Sequence, residues 1–154
     1  MDIISEGINN DYINDKYGKF GPVDSDGMPT VSLPIIIKNA PENTKSFALI
    51  MDDPDSLPVA GFVWLHWLAA NIHTTVIPEN ASETSLFIQG KNSWGCDCYG
   101  GPAPPNATHR YVLTVYALDT DLPVETGFSL KELNSLINGH ILDKAVITGL
   151  YRHK

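Results

Sequence analysis

The sequence predicts a mainly β fold, an antiparallel β-sandwich with one or two short helices. Three observations carry this. Short runs rich in β-branched and aromatic residues recur along the chain, each bounded by Gly, Pro or Asn. A sustained helical pattern occurs in one place, Ser129 to Asn138. The chain of 154 residues fits a single domain, 1–154, and its 43% hydrophobic content is enough for a proper core.

The elements follow in order. Met1 to Thr30 has short apolar pairs among Asn, Asp and Gly, which suit irregular or edge strands. Val31 to Lys38 is β-branched, with Pro34 confined to an edge or a bulge. Phe47 to Asp52 reads as a buried strand ending at Asp53-Pro54-Asp55. Those two acids would point the same way if the chain stayed extended, although an acidic turn explains them as well. Phe62 to Ile72 is a strand whose period of two puts Trp64, His66, Leu68 and Ala70 on one face. A single histidine in such a strand is usually a satisfied core residue. Leu86 to Ile88 is a further short strand, and Thr108 to Leu118 is the clearest in the chain. Alternation there puts His109 and Tyr111 on one face and Arg110 on the other. Ser129 and Glu132 make a capping box, Leu130, Leu133, Leu136 and Ile137 an apolar stripe, and Gly139 a left-handed stop. Ala145 to Tyr151 closes the sheet, with His140 as a cap or surface residue.

Composition excludes some functions. A net charge of −8 and a pI near 4.9 disfavour duplex nucleic acid and anionic membranes. No apolar stretch reaches membrane-spanning length, and no signal-peptide pattern opens the chain, so a cytoplasmic location is expected. The sequons at Asn80 and Asn106 then carry little weight. Cys96 and Cys98 are one residue apart; a disulfide would close a very small ring, so free thiols are expected. As zinc ligands they lack a second pair.

The segment Gly90 to Asp119 organises the functional reading. A polar Gly-rich loop leads into Gly100-Gly101-Pro102-Ala103-Pro104-Pro105, a stiff knot, and then into the strand beginning at His109. Asp53, His66, His109 and Tyr111 all fall at or near strand ends. If those ends converge, they make a shallow site with a carboxylate, two imidazoles and loop amides. Such a set suits a phosphate-like anion, with Trp64 as a wall whose face suits a cation. Three other readings compete. Asp53, His66 and His109 could hold a metal, without a local ligand motif in support. An Asp–His pair could activate Ser93, without a nucleophile elbow. All of them could be ordinary core and turn residues.

The chain resembles the phosphatidylethanolamine-binding protein family, in its short bacterial and archaeal branch of Raf-kinase-inhibitor-like proteins. The resemblance rests on pieces in family order. These are Ser32-Leu33-Pro34, Asp53-Pro54-Asp55, Trp64-Leu65-His66-Trp67, Gly90 to Gly95, Tyr99 to Pro105, His109-Arg110-Tyr111 and Gly149-Leu150-Tyr151. It implies a Greek-key sandwich with an anion pocket formed by Asp53, His66 and His109. Trp64, Gly101, Pro104 and Tyr111 would be wall or loop positions, and Asp55 a structural partner at the mouth. The implied function is non-enzymatic binding of a small anion or phospholipid head group, with no cofactor. Relatives modulate kinases or proteases, and short members can be homodimers. Ala103 stands where relatives often have cysteine, Ile37 replaces a usual tryptophan, and the C-terminal helix of eukaryotic members is absent. His109→Ala is expected to weaken anion binding and spare the fold.

Overall fold

The computed structural model describes residues 1–154. Its spine is a seven-stranded sheet of β2 (Ile8–Asn9), β3 (Tyr12–Ile13), β10 (Ile141–Tyr151), β9 (His109–Leu118), β5 (Ser46–Asp53), β6 (Trp64–Ile72) and β8 (Ile88–Gln89), in that spatial order. A second sheet pairs β1 (Asp2–Ile4), β4 (Ile35–Lys38) and β7 (Val76–Ile77). All pairings are antiparallel except β3 beside β10, which is parallel. The predicted sandwich is therefore correct in kind, with one parallel contact at an edge.

The layers follow from which faces are apolar. β5 is buried along nearly its whole length because the sheet is covered on both sides. Phe47, Leu49 and Met51 pack with Ile3, Ile35, Ile37 and Ile77 of the small sheet. Ala48 and Ile50 pack on the opposite face with Leu122, Phe128, Leu133 and Ile137. That second cover includes α2 (Leu130–Ile137), where the Glu132 N–H donates to Ser129 Oγ at 3.0 Å. Gly139 follows at φ 82°, as its predicted stop requires. β9 alternates as expected, with His109, Tyr111, Leu113, Val115 and Ala117 turned inward. β10 begins at Ile141, earlier than the sequence suggests, with a register shift between Ile141 and Asp143.

Two local expectations need correction. Pro54 to Ser56 forms a single 3-10 turn, so Asp53 and Asp55 do not share an extended run. The Asp53 carboxylate instead caps the turn by accepting from the Asp55 N–H. In β6, register slips between the pairs Met51–Trp67 and Asp52–Leu65, leaving His66 without a partner across the strand. This bulge breaks the period of two. His66 stays on the side of Tyr111, while Leu68 and Ala70 pack on the face of α2. Behind β6, buried Gln89 accepts from Trp67 Nε1 and Ser82 Oγ, fixing that strand to its edge.

Candidate anion-binding pocket

The neighbouring strands β9, β5 and β6 end at the same rim, and that adjacency brings the site together. Asp53 closes β5, His109 opens β9, and Trp64 and His66 open β6. They line a cavity of about 330 Å³ with Tyr111, Trp94 and Ser56. The short helix α1 (Leu57–Ala60) adds Val59 and Ala60 to the rim, and the Gly/Pro knot adds Ala103 and Pro105.

The polar groups divide into those already satisfied and those that are not. His109 Nδ1 lies 2.7 Å from Asp53 Oδ2, and its Nε2 lies 2.7 Å from Asn106 Oδ1. Both ring nitrogens are thus held by polar side chains, which fixes the orientation of the imidazole. Asp53 and His109 are both buried. Burial raises the Asp53 carboxyl above its ordinary range, while the hydrogen bond and charge of His109 pull it back. His66 Nδ1 donates to the Gly100 carbonyl at 2.6 Å, which leaves Nε2 free on the cavity side. Burial pushes the His66 pKa down to about 4, against the smaller upward pull of the Gly100 and Gly101 backbone. His66 is therefore a neutral ring at pH 7.

Trp64 Nε1 and Tyr111 Oη have no hydrogen-bond partner although both atoms are buried. Such orphaned donors cost free energy unless something meets them. Burial, with the Asp53 carboxylate nearby, holds the Tyr111 hydroxyl in its protonated, donating form. The rings interlock edge to face. Trp94 packs 5.1 Å from Trp64 and 5.3 Å from His66, and Tyr111 lies 5.1 Å from His66.

The predicted residues fall into two groups. Asp53, His66, His109, Trp64 and Tyr111 share the cavity. Gly101 and Pro104 stand behind its wall. The Gly101 N–H donates to Pro29 O, and the Pro104 carbonyl accepts from Lys19 Nζ at 2.7 Å. A methyl on Gly101 would lie 2.8 Å from Pro29 Cβ, so this glycine permits close packing rather than ligand contact. The N-terminal segment, which carries little of the family pattern, thus braces the knot. Asp55 accepts from the Arg110 N–H at 2.8 Å, and Arg110 turns outward to Thr148, both as expected. Sequence reading missed Trp94, Ser56 and Asn106 as site residues. Asn106 was visible only as a sequon, and Trp94 only as part of a loop.

The thiol expectation is overturned: Cys96 and Cys98 are joined as a disulfide, with their Cα atoms 5.3 Å apart. The loop is curled enough for this by Asn92, whose Oδ1 accepts from the Trp94 and Cys96 N–H groups. Gly95, at φ 87°, makes the turn between them. Elsewhere, no three His, Cys, Asp or Glu side chains are placed to hold a metal ion. Ser93 does not line the cavity, and its Oγ accepts from the Leu65 N–H. No helix is long and apolar enough to cross a membrane.

Comparison with known proteins identifies the family and the fold. The sequence profile of the phosphatidylethanolamine-binding protein family matches residues 4–152. YxkA of Bacillus subtilis is 41% identical over 160 residues, covering 93% of this chain and 95% of its own. A UPF0098 protein of Methanothermobacter thermautotrophicus is 39% identical over 79% of this chain and 83% of its own. The crystal structure of a phosphatidylethanolamine-binding protein homologue from Chlamydia trachomatis superposes with a TM-score of 0.87. It is 31% identical and covers 99% of this chain and 97% of its own. Escherichia coli YbcL superposes with a TM-score of 0.83 at 27% identity, covering 99% of this chain and 98% of its own. With the match running almost end to end, the chain belongs to the phosphatidylethanolamine-binding protein family.

Proposed function

We propose that the cavity binds a small phosphate-type anion, such as phosphoethanolamine or a phospholipid head group, without chemically changing it. The observation that carries this reading is the pair of orphaned donors. Trp64 Nε1 and Tyr111 Oη are buried at the cavity without partners, beside the unengaged Nε2 of His66. Phosphate oxygens can accept from the two donors once the Trp64 and Tyr111 side chains turn toward the cavity, and a monoprotonated phosphate also donates a hydrogen bond to Nε2 of the neutral His66 ring. The Asp53 carboxylate, which would repel an anion, is engaged by His109 Nδ1 at 2.7 Å. The indole faces of Trp64 and Trp94 suit an ammonium group attached to the phosphate.

Binding without turnover is favoured by the state of the hydroxyls. Ser56 Oγ is held by the Asp53 and Phe62 carbonyls and by the Trp64 N–H, and no base activates it as a nucleophile. The test is calorimetry with inorganic phosphate and phosphoethanolamine on the wild type and Tyr111→Phe. Loss of one charge-assisted hydrogen bond should weaken binding about tenfold or more. Thermal stability should change little, because the deleted hydroxyl makes no well-formed hydrogen bond and has only the Asp53 carboxylate nearby. Equal affinities would sink the reading. Release of phosphate from phosphoesters, abolished by His66→Ala, would replace it with a hydrolase.

A further inference from the structure

We infer that Cys96 and Cys98 form a reducible thiol–disulfide site that sets the cavity wall carrying Trp94. The bridge closes the turn 92–98, and both cysteines are only partly buried, so a small dithiol can reach them. On one side of the turn, Trp94 faces the cavity and packs against Trp64 and His66. On the other side the chain passes through Tyr99 to Gly100, whose carbonyl holds His66 Nδ1. A methyl on Gly100 would lie 2.7 Å from Trp94 Cζ3, so these two arms of the loop are in close contact. The bridge therefore pins the segment between Trp94 on the aromatic wall and Gly100, whose carbonyl orients the histidine.

What the bridge constrains is local. It spans one intervening residue, and a ring this small removes little entropy from the unfolded chain. Its loss should spare the fold. Asn92 would still hold the turn, through its Oδ1 and through Nδ2 to the Cys98 carbonyl at 3.0 Å. Trp94 would keep its N–H bond to Asn92 Oδ1 but lose the covalent closure of the turn two residues beyond it. Reduction proceeds by thiolate attack of a dithiol on one sulfur, giving a mixed disulfide. The second thiol of the reductant then resolves it. The S–S bond breaks, Cys96 and Cys98 gain two electrons and two protons, and the dithiol leaves as its own disulfide. The oxidised protein has the ordered wall and the reduced protein a looser one.

The effect on affinity rests on the anion-binding reading; the effect on the wall does not. The experiment compares air-oxidised protein, protein in excess dithiothreitol, and the double variant Cys96→Ser/Cys98→Ser. Alkylation and mass spectrometry count free thiols, NMR follows the Trp94 indole and His66 ring signals, and calorimetry measures inorganic phosphate binding. Reduction should yield two alkylated cysteines and move the Trp94 signal. It should also weaken phosphate binding about threefold to tenfold, the result of ordering one large side chain on binding. The double variant should match the reduced protein and ignore dithiothreitol. Free thiols in the air-oxidised protein, or Trp94 and His66 signals unmoved by reduction, overturn the inference. So does unchanged affinity in protein that binds phosphate. If neither form binds phosphate while Trp94 moves, the redox site stands and the anion reading falls.

Discussion

Acid should destabilise this protein through His66 in a measurable way. Its ring is buried and its pKa falls from the ordinary 6.5 to about 4. The unfolded chain therefore takes up a proton at a higher pH than the folded one. The stabilisation is fully present above 6.5 and is lost as pH falls toward 4. At about 1.36 kcal/mol per unit, the loss between about pH 7.5 and pH 4.5 is ~2.5 kcal/mol. The comparison is with His66→Phe, which keeps an aromatic ring but cannot titrate. The variant starts lower, because the Gly100 carbonyl loses its donor. Urea unfolding followed by far-UV circular dichroism at several pH values gives both curves. Subtracting them cancels the groups common to both proteins. The gap between wild type and variant should shrink by about 2.5 kcal/mol across that range. A gap independent of pH would mean that His66 titrates normally, and the buried neutral ring would be wrong.

Three further outcomes follow from the packing. His109→Ala should cost about 3–5 kcal/mol, because Asp53 would be left buried and unpaired; this revises the expectation from sequence that the fold is spared. His109→Ala/Asp53→Asn should recover much of that loss in chemical denaturation. Gly101→Ala should destabilise by about 3 kcal/mol or more through collision with Pro29 and Tyr17, whereas Gly95→Ala, with open space around it, should cost about 1 kcal/mol of backbone strain. Ser129→Ala should lose about 1 kcal/mol through the missing cap on α2, read as a lower urea midpoint.

The strands with simple alternation could be read from sequence, and so could the convergence of Asp53, His66 and His109 on one cavity. In β9 the inward row from His109 to Ala117 holds without interruption, so the placement of His109, Tyr111 and Arg110 followed from parity. The cap and stripe of α2 were equally direct, since both depend on residues within one segment. β6 was not legible in the same way. Its bulge at His66 depends on pairing with β5, which no local pattern encodes. The small sheet was also hidden, because β1 and β7 are too short to show a period. The cysteine bridge failed for a related reason. Ring size alone argued against it, while the curl imposed by Asn92 and Gly95 belongs to the loop as a whole. Gly101 and Pro104, expected as wall or loop positions of the pocket, do not line the cavity; they lie on the back of that segment, where Lys19 and Pro29 press against them.

Two of the three indoles, Trp64 and Trp94, stand at the cavity, while Trp67 is sealed in the core against Tyr99 and Phe87. The molecule thus carries its own optical gauge. A guest in the cavity dims or shifts two emitters and leaves the third as a constant background. Occupancy can then be titrated by intrinsic emission, without a label or an engineered probe.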